Sequence, residues 1–175
     1  MKKFELTAES KINIFGKKLF RIKALISFGD VEEGETGGWI EKEENLEQSS
    51  GDAWVYGDAE VYGDAWVSGN ARVSGNARVY GDAGVSGDAE VYGNAEVYGN
   101  ADYTTIHGFG TQFRTTTFFQ CEDKQIRVSC GCFLGTIPEF REQVKNTREG
   151  KIAEEYLMIA DLMEKHFVKE KESGE

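Results

Sequence analysis

The sequence predicts a mainly β protein: a short parallel β-helix at its centre, an N-terminal β cap and a C-terminal α+β domain. Three observations carry this. From Gly51 the chain repeats every six residues, with Gly at 51, 57, 63, 69, 75, 81, 87, 93 and 99, then Asp or Asn, then Ala. Valine closes the unit at 55, 61, 67, 73, 79, 85, 91 and 97, with Tyr103 in the ninth place. On both sides the six-residue period stops, and alternating strand patterns and then helical spacing take over. The boundaries read as 1–50, 51–104 and 105–175.

Each repeat has a physical reading. In Ala-x-Val the first and third side chains share one side of a strand, so both turn inward while the residue between faces out. Gly-Asp and Gly-Asn tolerate the backbone angles of a sharp corner. Three strands and three corners close a triangle, so residues 51–104 make about three coils and residues 18 apart stack. This pattern resembles the hexapeptide-repeat left-handed parallel β-helices, among them acyltransferases and γ-class carbonic anhydrases. The valines form a thin core, which predicts caps at both ends and association.

Stacking places the candidate binding residues. One outer face carries Trp54, Tyr56, Arg72 and Tyr92, the second carries Tyr62, Arg78, Tyr80 and Tyr98, and the third carries Trp66. On the second face Glu60 and Glu96 flank Arg78, which is expected to pair with both. Outward aromatics with an occasional arginine have the composition of an interface. One face is expected to join subunits in a homotrimer, with the tyrosine column at or beside the contact and the Trp54, Tyr56 and Tyr92 face as the alternative.

In the N-terminal segment, Ile12, Ile14, Phe15 and the run from Leu19 to Ile26 read as strands around a Gly16-Lys17 turn. Beyond the repeats, residues 115–119 and 125–129 read as a hairpin, and Thr136-Ile137-Pro138-Glu139 as a capping box opening a helix. Residues 151–168 follow as an amphipathic helix with Ile152, Tyr156, Ile159, Met163 and Phe167 on its apolar side. The C-terminal domain is thus expected to be ββαα.

Gly37-Gly38-Trp39-Ile40, the repeats, Thr115 to Phe119 and the run Cys130-Gly131-Cys132-Phe133 through Phe140 together resemble a family of bacteriophage and prophage hexapeptide-repeat proteins. That resemblance implies a phage origin and action in the cytoplasm of an infected host cell. It brings no chemistry with it.

Charge and residue inventory narrow the functions. The net charge is −11, and residues 51–104 hold nine acids against two arginines, a surface that repels nucleic-acid backbones. No apolar run approaches a membrane span or a signal peptide. The repeats hold no histidine, whereas the acyltransferases and carbonic anhydrases of this fold place theirs between subunits. His107 beyond the last coil is the remaining candidate base, with a structural role the stronger reading. Cys121, Cys130 and Cys132, with His166, could complete a zinc site, but Cys-x-Cys lacks the usual ligand spacing and reduced thiols are expected. We therefore expect a non-enzymatic binding protein with no cofactor or metal. It would inhibit a host defence system by gripping a defence protein or by sequestering its nucleotide signal. For a sequestered nucleotide, the few candidate cations near the helix are Arg72, Arg78 and Arg114. An acyltransferase-like enzyme and a structural phage component are the alternatives.

Overall fold

The computed structural model describes residues 2–168. The N-terminal cap is an antiparallel sheet of β1 (Phe4–Ile12), β2 (Lys18–Ala24) and β3 (Thr36–Ile40). Each of the first eight repeats then contributes one two-residue strand, from β4 (Trp54–Val55) and β5 (Glu60–Val61) through β6 (Trp66–Val67), β7 (Arg72–Val73) and β8 (Arg78–Val79) to β9 (Gly84–Val85), β10 (Glu90–Val91) and β11 (Glu96–Val97). They stack in parallel as β4–β7–β10, β5–β8–β11 and β6–β9. Valines 18 apart lie in register, Val61 on Val79 on Val97. The expected β-helix is thus present as a β-solenoid of about three turns.

The repeat chemistry works as the sequence predicts through eight units. Alanines 53–95 and valines 55–97 are at most 1% exposed. Corner glycines from Gly51 to Gly93 hold φ between 59° and 72°, the left-handed region open to glycine. The corners also hydrogen-bond between coils: Asn70 accepts from the Asp52 N–H at 3.3 Å and donates Nδ2–H to Asp88 at 2.9 Å. An aspartate in its place could not donate and would add a third negative charge to the column.

The ninth repeat departs from this pattern. Gly99 has φ −148°, and Asn100–Asp102 form a 3-10 turn in place of a corner and strand. Ala101 is exposed, whereas Asp102 is buried and accepts from the N–H groups of Tyr98 and Gly99 at 3.0 Å each. The expected inward Ala101 and outward Asp102 are therefore reversed. A backbone leaving the coil must satisfy its freed N–H groups, and the Asp102 carboxylate does this.

The caps fit the two ends differently. β3 pairs in parallel with β5 and Leu46 bridges to Val67, so the N-terminal sheet continues directly into one solenoid face. The hairpin begins at Phe4, well before the expected start, because the Lys3 and Phe4 N–H groups bond Gln48 and Lys3 Nζ reaches the Ala53 carbonyl at 3.0 Å. At the other end four antiparallel strands replace the expected two: β12 (Tyr103–Phe109), β13 (Arg114–Gln120), β14 (Ile126–Cys130) and β15 (Phe133–Thr136). Helices α1 (Ile137–Thr147) and α2 (Gly150–His166) follow. Thr136 caps α1 through the predicted box, accepting from the Glu139 N–H while Glu139 accepts from the Thr136 N–H. β13 joins two cores by its alternation: Phe119 packs into the solenoid and Phe118 beneath the helices.

Candidate functional site

The solenoid directs every candidate aromatic out of its coil, and the caps then decide which of them reach solvent. Trp54 is fully buried, edge-on to Phe4 and Phe28 at ring distances of 6.1 and 5.5 Å. Its expected exposure is corrected because the N-terminal cap lies over this face. Gly37 permits that approach, since a Cβ there would stand 2.7 Å from the indole. Tyr56 is half-buried, and Arg72 pairs with Asp30 of the cap. Tyr92 is half-buried against Phe119 at the opposite end.

The tyrosine column on the second face is real, and one end of it is closed. Tyr62 is 4% exposed and stacks on Tyr80 at 5.1 Å and 12°. Phe15, from the β1–β2 turn, stacks on Tyr80 at 5.9 Å and leans on Tyr62. Tyr98 continues the ladder edge-on at 5.3 Å. Burial, aided by Glu96, pushes the Tyr80 phenol up to about 12, and its hydroxyl donates to Glu96 at 3.1 Å. Arg78 does not bridge both glutamates as expected. It pairs with Glu96 at 3.5 Å and Glu122 at 3.4 Å, while Glu60 is taken by Lys11 of the hairpin at 2.8 Å.

What remains open on this face is a ridge whose hairpin side the repeat pattern could not show. Ile12, Ile14 and Phe15 are 64%, 76% and 55% exposed, and Tyr98 is 60% exposed. Asn13 shapes the turn, its side-chain oxygen accepting from the Phe15 and Lys17 N–H groups. This Asx signal stands in the sequence, but only the fold puts Phe15 on Tyr80. Trp66 stands apart on the third face, beside the Glu43–Gln48 segment.

A second site arises where the C-terminal sheet meets its helices. A cavity of about 130 Å³ is lined by Arg114, Cys130, Phe140, Gln143, Arg148 and Tyr156, among others. Two glycines make room for its walls. A Cβ on Gly131 would lie 2.6 Å from an Arg114 nitrogen, and one on Gly110 would lie 2.4 Å from the Tyr156 oxygen. Cys130 ends β14 and Cys132 follows Gly131 in a left-handed turn, so the two thiols do not lie along one strand. Cys121 is buried against the solenoid, its thiol pushed up to about 11 by burial. Among the described residues no group of three or more His, Cys, Asp or Glu side chains is placed to hold a metal. His107 stands exposed on β12, 3.1 Å from the Thr115 hydroxyl.

The chain is similar to one known repeat. Residues 71–87 match the family model described as YdcK beta solenoid repeat. The match covers the middle coil, which carries Arg72, Arg78 and Tyr80, and it speaks to the fold of the repeats. No curated protein matches the chain. Among the described residues no helix is long and apolar enough to cross a membrane.

Proposed function

We propose that this chain is a non-enzymatic binding protein that grips a protein partner through the ridge formed by Phe15, Tyr80, Tyr98 and the adjoining Ile12 and Ile14. The observation that carries the reading is an apolar centre flanked by ion pairs, with Lys18, opposite Ile12 in the hairpin, laid over the Phe20 ring. Lys11 pairs with Glu60, Lys17 with Glu41, and Arg78 with Glu96 and Glu122. Such a surface buries its aromatics against another protein and offers little to a phosphate. Arg72 and Arg78 are engaged by carboxylates, so a nucleotide signal finds no free cation on the solenoid faces.

The resemblance to phage hexapeptide-repeat proteins supports a host defence protein as that partner and the infected cell's cytoplasm as the place of action. The tyrosine ladder also supports self-association as a homotrimer, with the column beside the contact and Phe15 and Tyr98 left open to the partner. An acyltransferase reading rests on His107, whose exposed ring meets the Thr115 hydroxyl, and acetyl-coenzyme A binding would be its sign.

The test is a Phe15→Glu, Tyr98→Glu double variant compared with the unaltered chain in light scattering and in a phage-infection assay with the host's defences intact. The unaltered chain should scatter as three subunits and protect the phage. The variant, still cooperatively folded, should lose protection. A variant that protects as well as the original overturns the ridge as the binding surface. An unaltered chain that is a monomer at micromolar concentration overturns the trimer and leaves the ridge assignment standing.

A further inference from the structure

The chain contains seven arginines. Arg21, Arg72, Arg78, Arg127 and Arg141 each pair with at least one carboxylate. Arg114 and Arg148 pair with no carboxylate among the described residues, Arg148 donating to the Thr147 carbonyl at 3.0 Å, and both line the C-terminal cavity. In a protein with 31 acidic residues against 20 basic ones, the lining of that cavity includes no aspartate or glutamate among the described residues. Guanidiniums that share a cavity repel one another unless an anion joins them there, and the other five arginines each have a carboxylate of the chain.

The cavity is also layered. Arg114 and Arg148 are exposed at its rim, whereas Phe140, Val144 and Tyr156 are buried beneath them. Gln143 adds a neutral hydrogen-bonding side chain at the rim. A volume of about 130 Å³ is close to the roughly 150 Å³ of an apolar cavity known to take benzene. Six-membered rings and short branched alkyl groups therefore suit the floor.

We propose that this cavity binds a small phosphate monoester, its apolar group on the Phe140–Tyr156 floor and its phosphate held between Arg114 and Arg148. Two guanidiniums with no lining carboxylate match a dianion, which a carboxylate ligand would leave half-compensated, and guanidinium forks fit phosphate oxygens in pairs. No bond is made or broken, and the thiols of Cys130 and Cys132 serve only as wall. This site is separate from the ridge, so either assignment can fail without the other.

Calorimetric titration of the full chain with phenyl phosphate, at low and at physiological salt, tests the assignment. Binding of one ligand per chain is expected, weakening as salt rises. Arg114→Gln and Arg148→Gln should each weaken it about tenfold or more while leaving the melting transition in place. Inorganic phosphate should bind more weakly for want of the floor, and benzoate for want of the second charge. No binding of phenyl phosphate, or binding that both glutamine variants retain, overturns the site. Equal affinity for inorganic phosphate overturns the apolar floor, and equal affinity for benzoate overturns the preference for a dianion.

Discussion

The Tyr103 hydroxyl donates to the Gly84 carbonyl at 2.6 Å and accepts from the Ser86 N–H at 3.2 Å. Side chains thus take the main-chain groups that a ninth strand would have paired: Tyr103 the Gly84 carbonyl and the Ser86 N–H just beyond β9, and Asn100 Oδ1 the Gly84 N–H at 2.7 Å. The six-residue unit places Tyr103 where the other repeats carry valine, and the phenol ends the stack without leaving an open ladder. Tyr103→Phe keeps the ring and loses the hydroxyl. We expect it to lower unfolding free energy by about 1 kcal/mol in a urea titration. An unchanged midpoint would mean that water caps this edge equally well.

The corner glycines separate two costs that usually come together. Gly57 and Gly69 both hold left-handed φ, 59° and 65°. A Cβ on Gly57 meets nothing within 4 Å, whereas one on Gly69 would sit 2.9 Å from the Gly87 nitrogen in the next coil. Gly57→Ala should therefore cost only the backbone term, about 1–2 kcal/mol. Gly69→Ala should cost measurably more, because a backbone neighbour has to move. Equal losses in paired thermal melts would show that the coils separate freely at their corners.

Glu96 gives the stability a defined pH dependence. Burial pulls its pKa up, but hydrogen bonds from Lys124 and Tyr80 and the charges of Lys124 and Arg78 hold it below 4.5 overall. A carboxyl depressed in the folded state adds stability above its unfolded pKa and loses it as pH falls through the folded value. Glu96→Gln should therefore be less stable than the original chain at pH 7, with the gap closing below pH 4.5. A gap that stays constant down to acid pH would assign the loss to packing.

Closure of the last coil rests on the C-terminal sheet. Glu122 N–H bonds the Asn94 carbonyl at 3.2 Å, the Thr117 hydroxyl accepts from the Glu90 N–H at 3.1 Å, and Phe119 is fully buried in the solenoid core. A chain ending at Asp102 would expose these edges and the apolar end of the prism. Size-exclusion chromatography should find it aggregated. A soluble, monodisperse fragment would contradict the capping role.

The central fold was legible because its rule is local. Each Gly-Asx-Ala-x-Val unit contains its own corner and its own inward pair, and stacking at 18 residues follows from closing a triangle. The Thr136 capping box and the apolar stripe of α2 were legible for the same reason: their partners lie three or four residues away. Residues whose fate depends on distant chain were not. Trp54 and Trp66 occupy the same place in the repeat, yet the first is fully buried under Phe4 and Phe28 while the second is 44% exposed. Glu60 and Glu96 likewise look equivalent around Arg78 until the β1–β2 hairpin brings Lys11 to one of them. Arg114 and Arg148 lie 34 positions apart in sequence, with no motif between them that announces a cavity. The repeat by itself determined which side chains face inward and which outward, because strand alternation and glycine corners are properties of neighbouring residues. Only the tertiary structure decided which outward side chains meet water, because each cap covers a face to which it has no sequential relation.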